Sequence, residues 1–149
     1  IFDRINKKMP ARLLIVGEGP DKKACEELCV AKGIENKVAF LGNSNEVNKI
    51  LCFSDLFVLP SEKESFGLAA LEAMACGAVP VVPKVGAVAE VVESHASGLV
   101  YERGELGRSL KQLYLQPQCL ATMSQASVAQ AAGHTWQHVA EATLRVSGV

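Results

Sequence analysis

Asp55–Pro83, DLFVLPSEKESFGLAALEAMACGAVPVVP, is the stretch on which the fold turns. An apolar strand at 55–59 leads through a polar loop at 60–65 into a small-residue helix at 66–76. A second apolar strand follows at 78–82, so the stretch reads as half of a parallel α/β unit. From Gly67 to Cys76 the only charged residue is Glu72; the rest are Gly, Ala, Leu, Met or Cys. A helix apolar on all sides is expected to be buried. An ionised carboxylate in such surroundings is costly unless something hydrogen-bonds it, so Glu72 is expected to meet an internal donor or a ligand hydroxyl. Glu64 lies in the loop that feeds the same helix.

Upstream, Phe2, Ile5 and Met9 fall at helical spacing before Pro10, and RLLIVG at 12–17 reads as a buried strand ending in a tight Gly-Glu-Gly-Pro turn. A helix is expected over 21–32, with Ala24, Leu28 and Ala31 on its inner face and Gly33 as its C-terminal stop. KVAFLG at 37–42 is the next strand. A helix at 45–53 follows, with Asn45 as cap and Val47, Ile50 and Leu51 inward. Downstream, a short helix at 86–93 precedes a last strand at 98–101. From about Glu105 two or three helices break near Pro117 and Gly133. Between Gln112 and Ala140 there is no Asp, Glu, Lys or Arg, and six glutamines with Ser, Thr and His supply the polarity, as on surface helices of unusual composition. Strand and helix alternate with short connections, which predicts an α/β, Rossmann-like, doubly wound parallel sheet. Ligands of such sheets sit beyond the carboxyl ends of the strands, which selects the loops 17–20, 42–45, 60–66 and 83–87.

In the 60–66 loop, the first-turn N–H groups of Phe66, Gly67 and Leu68 offer a site for an anion such as phosphate, and Gly67 leaves room for close approach. The plainer alternative is that Ser65 caps the helix by occupying one of those donors. Gly17-Glu18-Gly19 lacks the third glycine of a dinucleotide fingerprint, since Lys22 stands there, and is most simply a structural turn. Cys25 with Cys29, and His134 with His138, share helix faces but lack the further ligands that zinc needs, and no Asp-x-Asp suggests a metal-held diphosphate. Glu90 and Glu93 suit a helix start. Lys84, at a strand's carboxyl end, could meet a phosphate but is more simply an exposed lysine.

The 149 residues are 49% hydrophobic with a formal net charge of -1, which fits one soluble domain with a core and gives no bulk-charge reason for a nucleic-acid or membrane partner. No apolar run is long enough to span a bilayer, so the expectation is a cytoplasmic protein that is not integral to a membrane. Five cysteines, an odd number placed in apolar helical patterns, point to reduced, buried thiols.

Glu64-x7-Glu72 enclosing Ser65-Phe66-Gly67-Leu68, followed by Ala73-Met74-Ala75-Cys76-Gly77 and Pro80-Val81-Val82, resembles the retaining glycosyltransferases of family 4. LLIVGEGP, AFLG, SDLFVLPS, the 85–91 segment and GLVY come in that family's order. The resemblance implies the C-terminal, donor-binding domain of a GT-B fold, with the N-terminal acceptor domain outside the chain. Glu72 would then accept hydrogen bonds from ribose hydroxyls, and Glu64, the catalytic-site carboxylate, would contact donor-sugar hydroxyls. Backbone groups of Ser65, Phe66, Gly67 and Leu68 would lie near the sugar and diphosphate, Leu41 and Gly42 beside the base, and Gly17 along the cleft. The wording SEKESFGLAALEAMACG is similar to the branch that transfers N-acetylglucosamine from its uridine diphosphate donor to L-malate, opening bacillithiol synthesis. The implied partners are thus a nucleotide sugar, an acceptor hydroxyl and the protein's own N-terminal domain. No cofactor and no obligatory metal is implied, and self-association is compatible with the reading.

Departures from the family's wording are Gly86-Ala87-Val88-Ala89-Glu90 where Gly-Gly and Pro are usual, and His134 before Thr135-Trp136 where an aromatic is common. The family's diphosphate-neutralising Arg and Lys would lie upstream of Ile1, on and just after a first strand that belongs between the strands at 12–17 and 55–59. The backbone groups of those two strands are then expected either to stay unpaired or to pair with each other, leaving the piece poorly stable and inactive alone. Two alternatives stay open: a non-catalytic sugar-nucleotide-binding module, and a family member of lipid or polysaccharide synthesis.

Overall fold

The computed structural model describes residues 1–64 and 67–134. These divide into two compact units, Ile1–Val47 and the chain from Asn48 onward. In the first, α1 (Phe2–Asn6) precedes β1 (Leu13–Val16), α2 (Lys22–Lys32), a 3-10 turn at Glu35–Lys37 and β2 (Val38–Gly42). β1 and β2 pair in parallel, Leu13 opposite Val38 and Ile15 opposite Phe40, with an irregularity before Val16 meets Gly42. Gly33 ends α2 in the left-handed conformation, φ 65°, as anticipated for a C-terminal glycine.

Two expectations fail in this unit. β1 is only half covered: Leu14 and Val16 remain 44% and 37% exposed, because alternate side chains face opposite sides of the strand and one side is packed. On α2 no residue is buried, and Leu28 is 57% exposed. The half-buried positions are Lys22 and Cys29, roughly opposite the Ala24–Leu28–Ala31 face on the helix. A short apolar stripe marks a face without fixing its partner.

The second unit holds α3 (Val47–Cys52, its first residue from the preceding unit), β3 (Leu56–Val58), α4 (Leu68–Ala75), β4 (Val79–Pro83), α5 (Val88–Val91), β5 (Leu99–Tyr101), α6 (Leu106–Leu115) and α7 (Pro117–Ala132). The sheet order is β3-β4-β5, all parallel, so the α/β reading stands. Every residue of β4 is buried, and α4, α5, α6 and α7 all contact it. Among the described residues β1 pairs only with β2 and β3 only with β4, so the two strands expected to flank a further one do not pair with each other. Leu51 is buried on α3 and the Ser44 hydroxyl, not Asn45, accepts the Glu46 N–H ahead of it. Pro117 opens α7 at its first turn, where a missing N–H costs nothing.

β4 is a central strand containing Pro80 and Pro83, and its register explains how both are tolerated. Residues 79 and 81 bond toward β3: the Val79 N–H donates to the Asp55 carbonyl, and the Leu59 N–H to the Val81 carbonyl. Even-numbered positions face β5, as the Lys84 N–H donating to the Tyr101 carbonyl shows. Pro80 therefore faces β5 before that strand begins opposite Val81, and Pro83 faces β3 after its ladder ends. The carbonyl that a residue at 83 would bond is that of Leu59, and the Tyr101 hydroxyl donates to it instead at 2.9 Å.

Candidate functional site

The 60–66 loop leaves β3 at Leu59, the carbonyl held by Tyr101, and enters α4 through Gly67. Gly67 is buried with φ 68°, and a methyl group built there would lie 2.6 Å from Val88 Cγ2. Glycine is thus required twice over, by the backbone and by α5 packed behind it. The Gly67 N–H donates to Glu64 Oε1 at 3.4 Å, which sets a carboxylate against the positive end of α4. Glu64 thus engages the Gly67 N–H, one of the three donors considered for an anion. Ser65 and Phe66, both singled out from the sequence, lie outside the described residues.

Glu72 corrects the expectation of an all-round buried helix. It is exposed, on a face it shares with Leu68, Ala69 and Ala75, while Ala70, Ala73 and Met74 face inward. Alanine was the misleading signal: it is the best helix former and has little apolar surface, so exposing it costs little. The burial argument for Glu72 therefore falls. In its place stands a solvent-facing carboxylate in the middle of α4.

Tyr101, unremarked in the sequence reading beyond its place in a strand, is 7% exposed, and burial pushes its phenol above the usual range. A tyrosine after an apolar strand gives no such signal; the clue was the proline at 83. At the same corner Arg103 reaches Glu62 at 3.0 Å, but both side chains are largely exposed, so this pair adds little. Lys84 takes the plainer of its two readings: it is exposed and its ammonium pairs with Glu102 Oε1 at 2.8 Å, a hydrogen bond that raises its pKa. Together with Ala89, Val92, Ser94 and Val100, that pair lines a shallow hollow of about 370 Å³. Ala87 sits at φ -70°, an ordinary conformation, so its methyl group introduces no backbone strain, and Gly86 supplies the left-handed turn before it. His134 hydrogen-bonds the Gln130 carbonyl through Nδ1 at 3.0 Å; Thr135, Trp136 and His138 lie outside the described residues.

In the first unit the loops after β1 and β2 meet. The Gly17 N–H donates to the Gly42 carbonyl at 2.8 Å, and both glycines have positive φ, 115° and 65°. Gly42 is buried, a Cβ built on it would lie 2.7 Å from Glu18 Oε1, and Glu18 in turn pairs with Lys22 at 2.9 Å. The Glu18 hydrogen bond raises the Lys22 pKa. Gly17-Glu18-Gly19 is thus a turn braced by its own ion pair, while Leu41, 42% exposed, borders it. Gly17, Leu41 and Gly42 form one cluster, and Glu64, Gly67, Leu68 and Glu72 another on the second unit.

Among the described residues no three metal-ligating side chains gather, and no helix is long and apolar enough to cross a membrane. The cysteines are free as expected but not buried: Cys25 and Cys52 are exposed, and Cys29, Cys76 and Cys119 half-buried. Each lies on or beside a helix, where one thiol in an apolar pattern does not say which face turns inward.

Residues 1–129 match the family model described as glycosyl transferases group 1. The N-acetyl-alpha-D-glucosaminyl L-malate synthase of Bacillus anthracis is 42% identical over 104 residues, covering 70% of this chain and 27% of that protein. The D-inositol 3-phosphate glycosyltransferase of Saccharomonospora viridis is 30% identical over 146 residues, 90% of this chain and 34% of that one. The chain thus spans about a third or less of the length of these relatives. Among solved structures, Anabaena HepE in complex with UDP superposes with a TM-score of 0.83 at 25% identity, over 99% of this chain and 44% of that one. The same protein with UDP-glucose gives 0.84 over the same shares. With a family model matched from its first residue through most of its length, the chain belongs to the glycosyl transferases group 1 family.

Proposed function

We propose that the chain is the donor-binding domain of a retaining glycosyltransferase that takes UDP-N-acetylglucosamine and transfers the sugar to the hydroxyl of L-malate. The observation that carries the reading is the pair of carboxylates about α4, Glu64 in the preceding loop against the Gly67 N–H and Glu72 facing solvent on the helix. Glu72 accepts the ribose hydroxyls. Glu64 exchanges the Gly67 N–H for hydroxyls of the donor sugar, which frees that donor and the α4 N-terminus for the diphosphate. As the sugar leaves, negative charge grows on the departing uridine diphosphate, and the helix N-terminus so freed stabilises it. Gly17, Leu41 and Gly42 form a separate cluster on the first unit, of which the resemblance assigns Leu41 and Gly42 to the base.

The reaction proposed needs no metal and no cofactor, and its cationic partners for the diphosphate lie on the N-terminal side of this chain together with the acceptor domain. A cytoplasmic location fits substrates of this kind. Support for the donor comes from the HepE complexes with UDP and with UDP-glucose, and for the acceptor from the Bacillus anthracis relative. The test is a donor and acceptor panel on the intact protein. Transfer from UDP-N-acetylglucosamine to L-malate is the expected result; transfer to inositol 3-phosphate would replace the acceptor, and absence of transfer to any acceptor with UDP still bound would make this a binding module.

A further inference from the structure

Cys52 closes α3 and Cys76 follows the last residue of α4. The Cys76 thiol donates to the Asn48 carbonyl at 3.5 Å. Asn48 lies one helical turn before Cys52, and a helical side chain leans back over the turn that precedes it, so the Cys52 side chain reaches the same spot. Cys52 lies near enough there to help raise the Cys76 pKa. They differ in access, Cys52 being exposed and Cys76 half-buried. Two thiols brought to one carbonyl from two separate elements are candidates for the approach that a disulfide requires. The remaining cysteines offer no equivalent: Cys25 and Cys29 lie along one helix, and Cys119 bonds a glutamine oxygen.

We propose that Cys52 and Cys76 are a thiol pair that closes reversibly to a disulfide by exchange with a low-molecular-weight disulfide. The exposed Cys52 thiolate attacks one sulfur of the small disulfide, whose S–S bond breaks and releases one small thiolate. Cys76, deprotonated, then attacks the Cys52 sulfur of the mixed disulfide and releases the second. Two protein thiols lose two protons and two electrons, and the small disulfide is reduced to two thiols. Burial, then the neighbouring Cys52 and the Glu72 carboxylate, push the Cys76 thiol up, which disfavours its thiolate and leaves the first attack to the exposed Cys52. The bond closes a ring running from the end of α3 through β3 and the whole of α4, and that ring contains Glu64, Gly67 and Glu72.

The test incubates the reduced intact protein with oxidised glutathione, alkylates the remaining thiols under native conditions, and maps the peptides by mass spectrometry. The expected product is a peptide pair joined through Cys52 and Cys76, with Cys25, Cys29 and Cys119 not joined to either, and dithiothreitol reverses it. In Cys76→Ser, glutathione stays on Cys52; in Cys52→Ser, no linked pair forms. A glutathione adduct persisting on Cys52 in the wild type, or linkage of Cys52 or Cys76 to a different cysteine, would overturn the proposal.

Discussion

Gly67→Ala places one methyl group where two independent constraints meet, so its cost can be worked in parts. The backbone at φ 68° holds an L-residue in the left-handed region, which costs roughly 1–2 kcal/mol. The new Cβ would lie 2.6 Å from Val88 Cγ2 and 2.8 Å from Val88 Cβ, and overpacking of a filled interior typically costs about 1–3 kcal/mol. The sum is roughly 2–5 kcal/mol, a large share of a domain's stability. Denaturant unfolding of the intact protein measures it, alongside Val88→Ala and the double variant. Val88 is fully buried, so Val88→Ala alone leaves a cavity. In the double variant the Gly67→Ala methyl group enters that space, and the two changes together cost less than their sum by about 0.5–3 kcal/mol. The backbone part is not recovered, because no change at Val88 alters φ. A Gly67→Ala protein within about 0.5 kcal/mol of the wild type would refute the whole estimate. Strict additivity would refute the Val88 part.

Tyr101→Phe leaves the Leu59 carbonyl without the donor that stands in for the absent Pro83 N–H, at a cost of about 1–3 kcal/mol by thermal or urea unfolding. Adding Pro83→Ala returns a backbone donor on the β3 side and is expected to recover part of that loss; no recovery would contradict the register argument. The Tyr101 phenol is raised above 10.0, so its contribution to stability is complete below that pH and is lost as pH rises through the folded-state value. The Tyr101→Phe protein should accordingly show a flatter alkaline decline in Tm than the wild type. Glu64→Gln is expected to keep UDP affinity while lowering sugar transfer, since the side chain is assigned to the sugar; an equal loss of UDP binding would move Glu64 to the nucleotide.

Much of this was legible because it depends on local signals. The apolar runs of β3 and β4, the Gly33 stop and the Pro117 break each act through their own residues, and all fall within a residue or two of where the pattern puts them. What stayed hidden depends on neighbours that a single strand or helix does not specify. Ala69 and Ala75 look as apolar as Ala70 and Ala73, yet the first pair faces out and the second in. The same ambiguity misplaced the cysteines and the inner face of α2. In the candidate site the sequence marked Glu64, Gly67 and Glu72, but for Glu72 by a burial argument that its exposure removes. The Tyr101 bond was out of reach because it joins β5 to the end of β3 across β4, a contact that exists only once the register is known.

The most direct test of the account is a UDP titration of the intact protein as wild type and as Glu72→Ala. The Glu72 side chain is exposed on α4, so the substitution should leave Tm essentially unchanged, within about 0.5 kcal/mol of stability. Loss of charged hydrogen bonds to ribose should weaken UDP binding by at least ~1 kcal/mol, about fivefold or more. Unchanged UDP affinity in a folded Glu72→Ala protein would contradict the assignment of α4 as the helix that holds the nucleotide.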